Sequence, residues 1–425
     1  MMISGMQLTA RECAKVAATT SLAQATAVPA VQRVAGRWQC QRCGQRRFGP
    51  LADGRAYCVS CVGMSRVETG SQLWRFPHTP APLGGPLTWR GTLTPAQARA
   101  AQAALASVAA GRDHLFWAVT GAGKTEMLFP LIAQCLGQHQ RVAWVTPRID
   151  VVLELAPRLQ AAFIGTPVAI GYGGRPWPMR DAPLTVATTH QMLRYYRHFD
   201  LMIIDEVDAF PFSQTPMLAY ACTQAARGVT VFLSATPPDA LRRAARAGRI
   251  GSSMLSRRFH GQPLPVPVMR LMKLTRVPDQ LPLVAARWLA AQHRAGRVSL
   301  LFVPDTRWVV PLSQAVQRLG LRASGVHARD PARLGKVQAF RQGQLDCLVT
   351  TTILERGVTI PHCAVLVLAA DDRQFDRAAL VQMAGRAGRA SDSPDDPVWF
   401  VAAHFSLAIA QALTEIRGMN RRGWR

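Results

Sequence analysis

The chain has 425 residues, a formal net charge of +25 and a composition about half hydrophobic. That length exceeds what one hydrophobic core organises and implies two or three domains, while the apolar content excludes a disordered chain. No run reaches the roughly 18 consecutive apolar residues of a membrane span, and the surplus of positive charge makes a polyanion the expected partner, nucleic acid before an anionic membrane surface.

Residues 1–34 begin Ala/Thr-rich with Arg11 and Lys15 and lack the basic start, compact apolar block and cleavage site of a signal peptide. They are expected to form an N-terminal extension, disordered or with one short helix. Next come Cys40-Gln41-Arg42-Cys43 and Cys58-Val59-Ser60-Cys61, with fourteen residues between the inner cysteines, the spacing of a four-cysteine zinc ribbon. Two tight knuckles deliver four thiolates tetrahedrally, and so short a hairpin builds no core without metal. The module is placed at 35–70. Arg42, Arg46, Arg47 and Arg55 make it basic enough to grip phosphates, with a structural or protein-docking ribbon as the alternative. Cys13, Cys135, Cys222, Cys347 and Cys363 are scattered, which fits a reducing compartment and one metal site rather than a disulfide framework.

A Pro/Gly-rich linker over 76–86 leads into a region where short apolar runs alternate with amphipathic stretches. Leu115 to Val119, Val142 to Thr146, Leu201 to Ile204 and Val229 to Leu233 read as strands of a buried parallel sheet with helices between them. They define a first lobe over 71–256. Alternating prolines in 258–267 exclude helix and mark a hinge. The rhythm resumes with Val298 to Val303, Leu345 to Thr350, Ala364 to Leu368 and Val398 to Val401, a second α/β lobe over 257–425.

Gly121-Ala122-Gly123-Lys124-Thr125 follows the first of these strands and precedes a helical pattern, the setting of a phosphate-binding loop; Ala118 stands where that motif usually has its first glycine. Small residues let backbone N–H groups turn inward around phosphate, Lys124 would pair with the β and γ phosphates, and Thr125 would help hold Mg²⁺. Asp205-Glu206-Val207-Asp208 ends the strand of Leu201 to Ile204, at the edge where ligands bind such sheets. Asp205 suits the Mg²⁺ shell, and Glu206 suits polarisation of the attacking water. Ser234-Ala235-Thr236-Pro237 closes another strand with two hydroxyls. In the second lobe, Arg386 and Arg389 lie three residues apart, expected on one helix face and suited to charge on a transferring γ-phosphate.

In this order the motifs resemble those of superfamily 2 helicases, which implies a core of two RecA-like parallel-sheet lobes behind the zinc ribbon. The resemblance implies ATP held by Thr120, Gly121, Ala122, Gly123, Lys124, Thr125 and Asp205 on one lobe and met by Arg386 and Arg389 of the other. It further implies that Gln97, in Leu93-Thr94-Pro95-Ala96-Gln97, reads adenine, that Gly357 lies at the nucleotide, and that Arg148, Thr188, Thr189 and Thr351 contact the strand. Thr359 stands where the commoner form of that last motif has Asp. The cysteine module ahead of the lobes, the Leu354 to Thr359 stretch and the 258–267 hinge are similar to the ComFA proteins, late competence ATPases of DNA uptake. This implies a cytoplasmic protein at the inner face of the membrane, touching it only peripherally, that uses ATP, Mg²⁺ and Zn²⁺ to pull single-stranded DNA inward beside ComFC and the uptake channel. A homo-oligomer is compatible with it. Three readings compete: a replication-restart or repair helicase similar to PriA, whose cysteines lie within its second lobe; a DEAD-box RNA helicase, from whose tetrad Asp205-Glu206-Val207-Asp208 departs; and a zinc-dependent DNA-binding scaffold without turnover, against which Glu206, Arg386 and Arg389 argue. Trp177, Tyr195 and Tyr196 could stack on bases, although core packing is the commoner fate of such rings.

Overall fold

The structure, a computed structural model, describes residues 3–16, 22–177, 179–274, 280–354 and 360–423. Two compact units make up the chain, Met1–Trp117 with Lys124–Met254 and Ala118–Gly123 with Leu255–Arg425.

The first unit is built on a seven-stranded sheet in the order Val168–Gly171, Leu184–Thr188, Val142–Thr146, Phe199–Asp205, Ala226–Ser234, His114–Ala118, Gly251–Leu255. From Val168–Gly171 to His114–Ala118 every neighbouring pair is parallel. Val142–Thr146 is buried along its whole length, which is why the central strands read as unbroken apolar runs instead of alternating ones. Helix Pro95–Ala109 starts cleanly because Pro95 needs no N–H partner in the first turn and Thr94 and Gln97 cap each other reciprocally.

Of the two expectations for the N-terminal residues, disorder or one short helix, the described residues fit the second and add two strands. Gln7–Thr9 and Thr26–Pro29 flank Gln72–Arg75 in an antiparallel sheet, and Ala10–Val16 is helical. Ile3, Met6, Leu8, Cys13 and Val16 are buried in one cluster with Cys40, Cys43, Cys58 and Cys61 and with Ala143, Val145, Phe199 and Met202 of the large sheet. A three-residue strand whose partner lies beyond the cysteine module leaves almost no local periodicity, so its order comes from tertiary burial.

The second unit carries a six-stranded sheet in the order Val268–Leu271, Val398–Ala402, Cys363–Leu368, Val298–Phe302, Cys347–Thr350, Ala323–Val326, parallel throughout. Helices Leu283–Arg294 and Thr306–Gln317 cover one face through Trp288, Leu289, Trp308, Val309 and Leu312. The closing helix Leu407–Gly423 packs against Arg377–Ala384 and is tied to it by the Arg377–Glu415 ion pair.

His114 opens the strand that leads to the phosphate loop, its ring nitrogens within 2.9 Å of Ser107 Oγ and 3.0 Å of Ser253 Oγ. Burial pushes it down to about 4, and burial, with Arg141 and His78 nearby, drives His198 well below its ordinary value. Both are neutral in the fold and protonate readily only once it opens. Their contribution is therefore intact above the unfolded imidazole value of about 6.5 and is lost as pH falls towards 4. The thermal midpoint is expected to decline across that window and His114→Gln to flatten the decline; an identical slope in the variant would contradict the assignment.

Candidate functional site

In the first unit the strand Phe199–Asp205 lies parallel to Ala226–Ser234 with Asp205 opposite Leu233, so the segments Asp205–Asp208 and Ser234–Thr236 emerge at the same sheet edge. There the Asp208 carboxylate accepts hydrogen bonds from Ser234 Oγ and Thr236 Oγ1, both at 2.6 Å, and Thr236 N donates to Ser234 Oγ at 3.0 Å. The two hydroxyls that the sequence left without a task thus hold the last acid of the tetrad. Glu206 adopts φ 56, a left-handed conformation unusual for a non-glycine residue, and its N–H donates to Asp205 Oδ1 at 2.8 Å. Such conformations cluster at functional sites because the surrounding structure holds them for a purpose.

Lys124 and Thr125 open the short helix Lys124–Met127 and are half-buried. Gly121 and Gly123 have φ 80 and 71, and at both positions a side chain would be strained, so the phosphate loop requires them. Ala118, in place of the usual first glycine, is an ordinary strand residue and Thr120 is nearly buried. Gln97 is also buried, and Thr94 N donates to its Oε1 at 2.8 Å. Thr-x-x-Gln before an apolar helix is a capping-box signature, so Gln97 serves the start of this helix.

The four cysteines converge. Their sulfur atoms all lie within 4.8 Å of one another, with Cys40 Sγ to Cys61 Sγ at 3.8 Å and Cys43 Sγ to Cys58 Sγ at 3.4 Å, and all four side chains are buried. A tetrahedral zinc with Zn–S of about 2.3 Å needs sulfur separations of roughly 3.8 Å, which this cluster fits. Arg42, between the first two cysteines, corrects the expectation that it grips phosphate. It is fully buried, with Nη2 donating to Glu12 Oε1 at 2.7 Å and Nε to the Leu193 carbonyl at 3.0 Å. Arg42 thereby ties the knuckle both to the N-terminal helix and to the segment Thr189–Arg194 of the first unit. Arg46 and Arg47 are exposed, and Arg55 pairs with Asp53 and Glu68.

The expected strand contacts are brought together only in part. Arg148 is half-buried ahead of helix Ile149–Ala162. Thr188 and Thr189 are 4% and 0% exposed because Thr189–Arg194 packs against helix Pro216–Ala225, so neither offers its hydroxyl at the surface. Tyr195 is a core residue, while Arg75 covers the Tyr196 ring at 3.6 Å and Arg194 covers Trp177 at 4.8 Å.

In the second unit Thr351 is nearly buried, and Gly357 lies outside the described residues. Arg386 and Arg389 do not share a helix face as expected. Helix Arg377–Ala384 ends at Gly385, and both arginines occupy the turn beyond it. Gly388 has φ 63, and a Cβ there would lie 2.0 Å from the Pro394 carbonyl, so the tight turn after the helix depends on glycine. Arg389 Nε donates back to the Gly385 carbonyl at 3.2 Å, and Arg386 is 3% exposed. Asp396, fully buried, supports the turn by accepting from Gly388 N at 3.2 Å and Ser393 Oγ at 2.5 Å.

The DEAD/DEAH box helicase family matches residues 94–244, and the helicase conserved C-terminal domain matches 279–391. Competence protein ComFA of Bacillus subtilis is 42% identical over 399 residues, spanning 90% of this chain and 86% of that protein. Competence protein ComFA of Streptococcus pneumoniae is 37% identical over 407 residues, 93% of each. Among solved structures, Saccharomyces cerevisiae Dbp5 bound to RNA and ADP BeF3 gives a TM-score of 0.58 at 17% identity, covering 77% of this chain and 88% of its own. Mycobacterium smegmatis Lhr bound to single-stranded DNA and AMP-PNP gives 0.57 at 18%, covering 77% and 48%. At such identities the structural likeness speaks for the fold of two RecA-like lobes alone.

Removing the Arg42 guanidinium leaves Glu12 charged and buried beside the cysteine cluster. Arg42→Ala is expected to lower stability by about 3–5 kcal/mol, whereas the exposed Arg47→Ala should cost less than about 0.5 kcal/mol. Denaturant titration of the metal-loaded proteins checks this, and equal midpoints for the two variants would overturn the reading of Arg42 as the tie between knuckle and lobe.

Proposed function

The chain belongs to the ComFA family of competence proteins, with the two-lobed core of an ATP-dependent superfamily 2 helicase, and we propose that it is the motor that draws transforming DNA into the cell as a single strand. ATP, with Mg²⁺, is the fuel. Lys124 and the N–H groups of residues 120–125 would bind the phosphates, and Thr125 and Asp205 would hold the metal, which supplies charge neutralisation at the β and γ phosphates. Glu206 would accept a hydrogen bond from the attacking water; water oxygen bonds to the γ-phosphorus as the bond to the ADP oxygen breaks, with Arg386 and Arg389 stabilising the transferring group.

The observation that carries the reading is the edge where Asp205, Glu206 and Asp208 meet Ser234 and Thr236. Holding a non-glycine residue in the left-handed region costs about 1 kcal/mol or more. Ala35, His139, Arg197, His362 and Ala369 carry the same strain, so it is the position of the Glu206 carboxylate at this edge that favours turnover over a binding scaffold, which needs no carboxylate placed for water. The net charge of +25 supports a grip on a sugar-phosphate backbone without base reading. Similarity to the ComFA proteins over nine-tenths of the chain supports DNA uptake over replication restart. In this reading Cys40, Cys43, Cys58 and Cys61 hold Zn²⁺ and the protein works at the cytoplasmic face of the membrane. ComFC and the uptake channel are its proposed partners. Its contact with the membrane is proposed to be peripheral; no helix among the described residues is long and apolar enough to cross a membrane.

In a competent strain lacking this protein, labelled DNA is expected to bind the cell surface but stay accessible to added nuclease. The wild-type gene should restore protection, and Lys124→Ala and Glu206→Gln should not. Normal protection in the deletion strain would sink the uptake role.

A further inference from the structure

Arg258 is the buried arginine of the second unit that the helicase motifs do not use. It is 3% exposed, its Nη1 donates to the Gly388 carbonyl, and its Nε and Nη2 are buried with no hydrogen-bond partner. The fully buried arginines of the first unit provide the contrast. Arg42 pairs with Glu12 at 2.7 Å and Arg141 with Asp181 at 2.8 Å. Among the described residues Arg258 has no such carboxylate. Asp396, the acid whose field reaches it, is already engaged on Oδ1 by Arg297 Nε and Ser393 Oγ and on Oδ2 by the N–H groups of Cys363 and Gly388. Burial, with the positive charge of Arg389 beside it, pushes the Arg258 guanidinium down to about 9. A buried cation without a partner is costly, and the cost points to an anion that completes the site.

The backbone shows what Arg258 lies against. Val119 N donates to the Leu255 carbonyl at 3.0 Å and Phe259 N to the Gly121 carbonyl at 2.9 Å, so residues 255–259 run along the loop Ala118–Gly123 within the second unit. A Cβ on Gly121 would come within 3.5 Å of Arg258 Cγ, and one on Gly388 within 2.8 Å of Arg258 Nη1. The side chain therefore leaves from the phosphate loop and ends beside the residue that precedes Arg389.

We propose that Arg258 is a further phosphate-binding residue of the nucleotide site, whose Nε and Nη2 donate to an oxygen of the terminal phosphate of a bound nucleoside triphosphate. The proposal rests on the reading of residues 120–125 as the nucleotide loop. Because the contact is to the terminal phosphate, Arg258 discriminates triphosphate from diphosphate. Its Nη1 bond to Gly388 couples that discrimination to the turn carrying Arg386 and Arg389.

The test is equilibrium titration of the full-length, zinc-loaded protein with fluorescent ADP and with a fluorescent non-hydrolysable ATP analogue, in the wild type, Arg258→Lys, Arg258→Gln and Lys124→Ala. Both Arg258 variants should bind the triphosphate analogue roughly tenfold or more weakly, the loss expected for charge-assisted bonds, with ADP affinity changed by less than about twofold. Arg258→Lys keeps the charge and can still reach the Gly388 carbonyl, so it decides the matter if Arg258→Gln fails to fold. Equal weakening of both nucleotides would show that Arg258 merely props the loop, and no weakening of either would remove it from the site; both results overturn the proposal. Lys124→Ala should weaken both nucleotides. Unchanged binding in that variant would instead bring down the underlying reading of the loop.

Discussion

Parallel pairing of Phe199–Asp205 with Ala226–Ser234 is the constraint on which the motor chemistry depends. In a parallel sheet every strand leaves by the same edge, so residues distant in sequence arrive at one place whatever the loops do. Here that geometry sets Asp208 under two hydroxyl donors and leaves Asp205 and Glu206 at the turn. The neighbouring strand Val142–Thr146 is buried along its whole length, and Trp144 and Phe116 are wholly buried, so close packing holds the register. The strained backbone of Glu206 is sustained by that rigidity.

The cysteine module is part of the first unit rather than an appendage. Its thiols share a hydrophobic cluster with strands of the large sheet, and the Arg42–Glu12 pair is sealed beneath them. A metal held by these four thiols would therefore bind and fold this region in one process. Arg37, Arg46, Arg47, Arg55 and Arg66 are exposed, Arg55 and Arg66 in ion pairs with Asp53 and Glu68, which separates the one arginine that locks the fold from others open to solvent. Buried guanidiniums recur as fixing points: Arg141 binds the Thr79 carbonyl at 2.7 Å and Asp181, whereas Arg258 pairs with no carboxylate among the described residues.

Much of this was legible in the sequence where chemistry and burial leave a dense local signal. Val142–Thr146 and Cys363–Leu368 are runs with no polar interruption until their ends, and two Cys-x-x-Cys knuckles have few other uses. Strands such as Val168–Gly171 and Ala323–Val326 went unseen because they are short and rich in Gly, Ala or Ser, and they exist through their neighbours. The turn holding Arg386 and Arg389 could have been found from Gly385 and Gly388, since glycine after an apolar helix marks its end. Thr94 and Gln97 carried a capping signal that the adenine-reading resemblance obscured. The 258–267 stretch was legible as a hinge, but the role of Arg258 was not: an arginine in a Pro-rich segment looks like a solvated residue, and only coordinates show it buried with no carboxylate partner among the described residues.

The most direct measurement is phosphate release from ATP by the zinc-loaded protein with no polymer, with single-stranded DNA, with duplex DNA and with RNA, at moderate salt because backbone contacts weaken steeply with ionic strength. The account predicts low basal turnover that single-stranded DNA stimulates strongly and the other polymers much less. Equal or greater stimulation by RNA, or no hydrolysis under any condition, would contradict it.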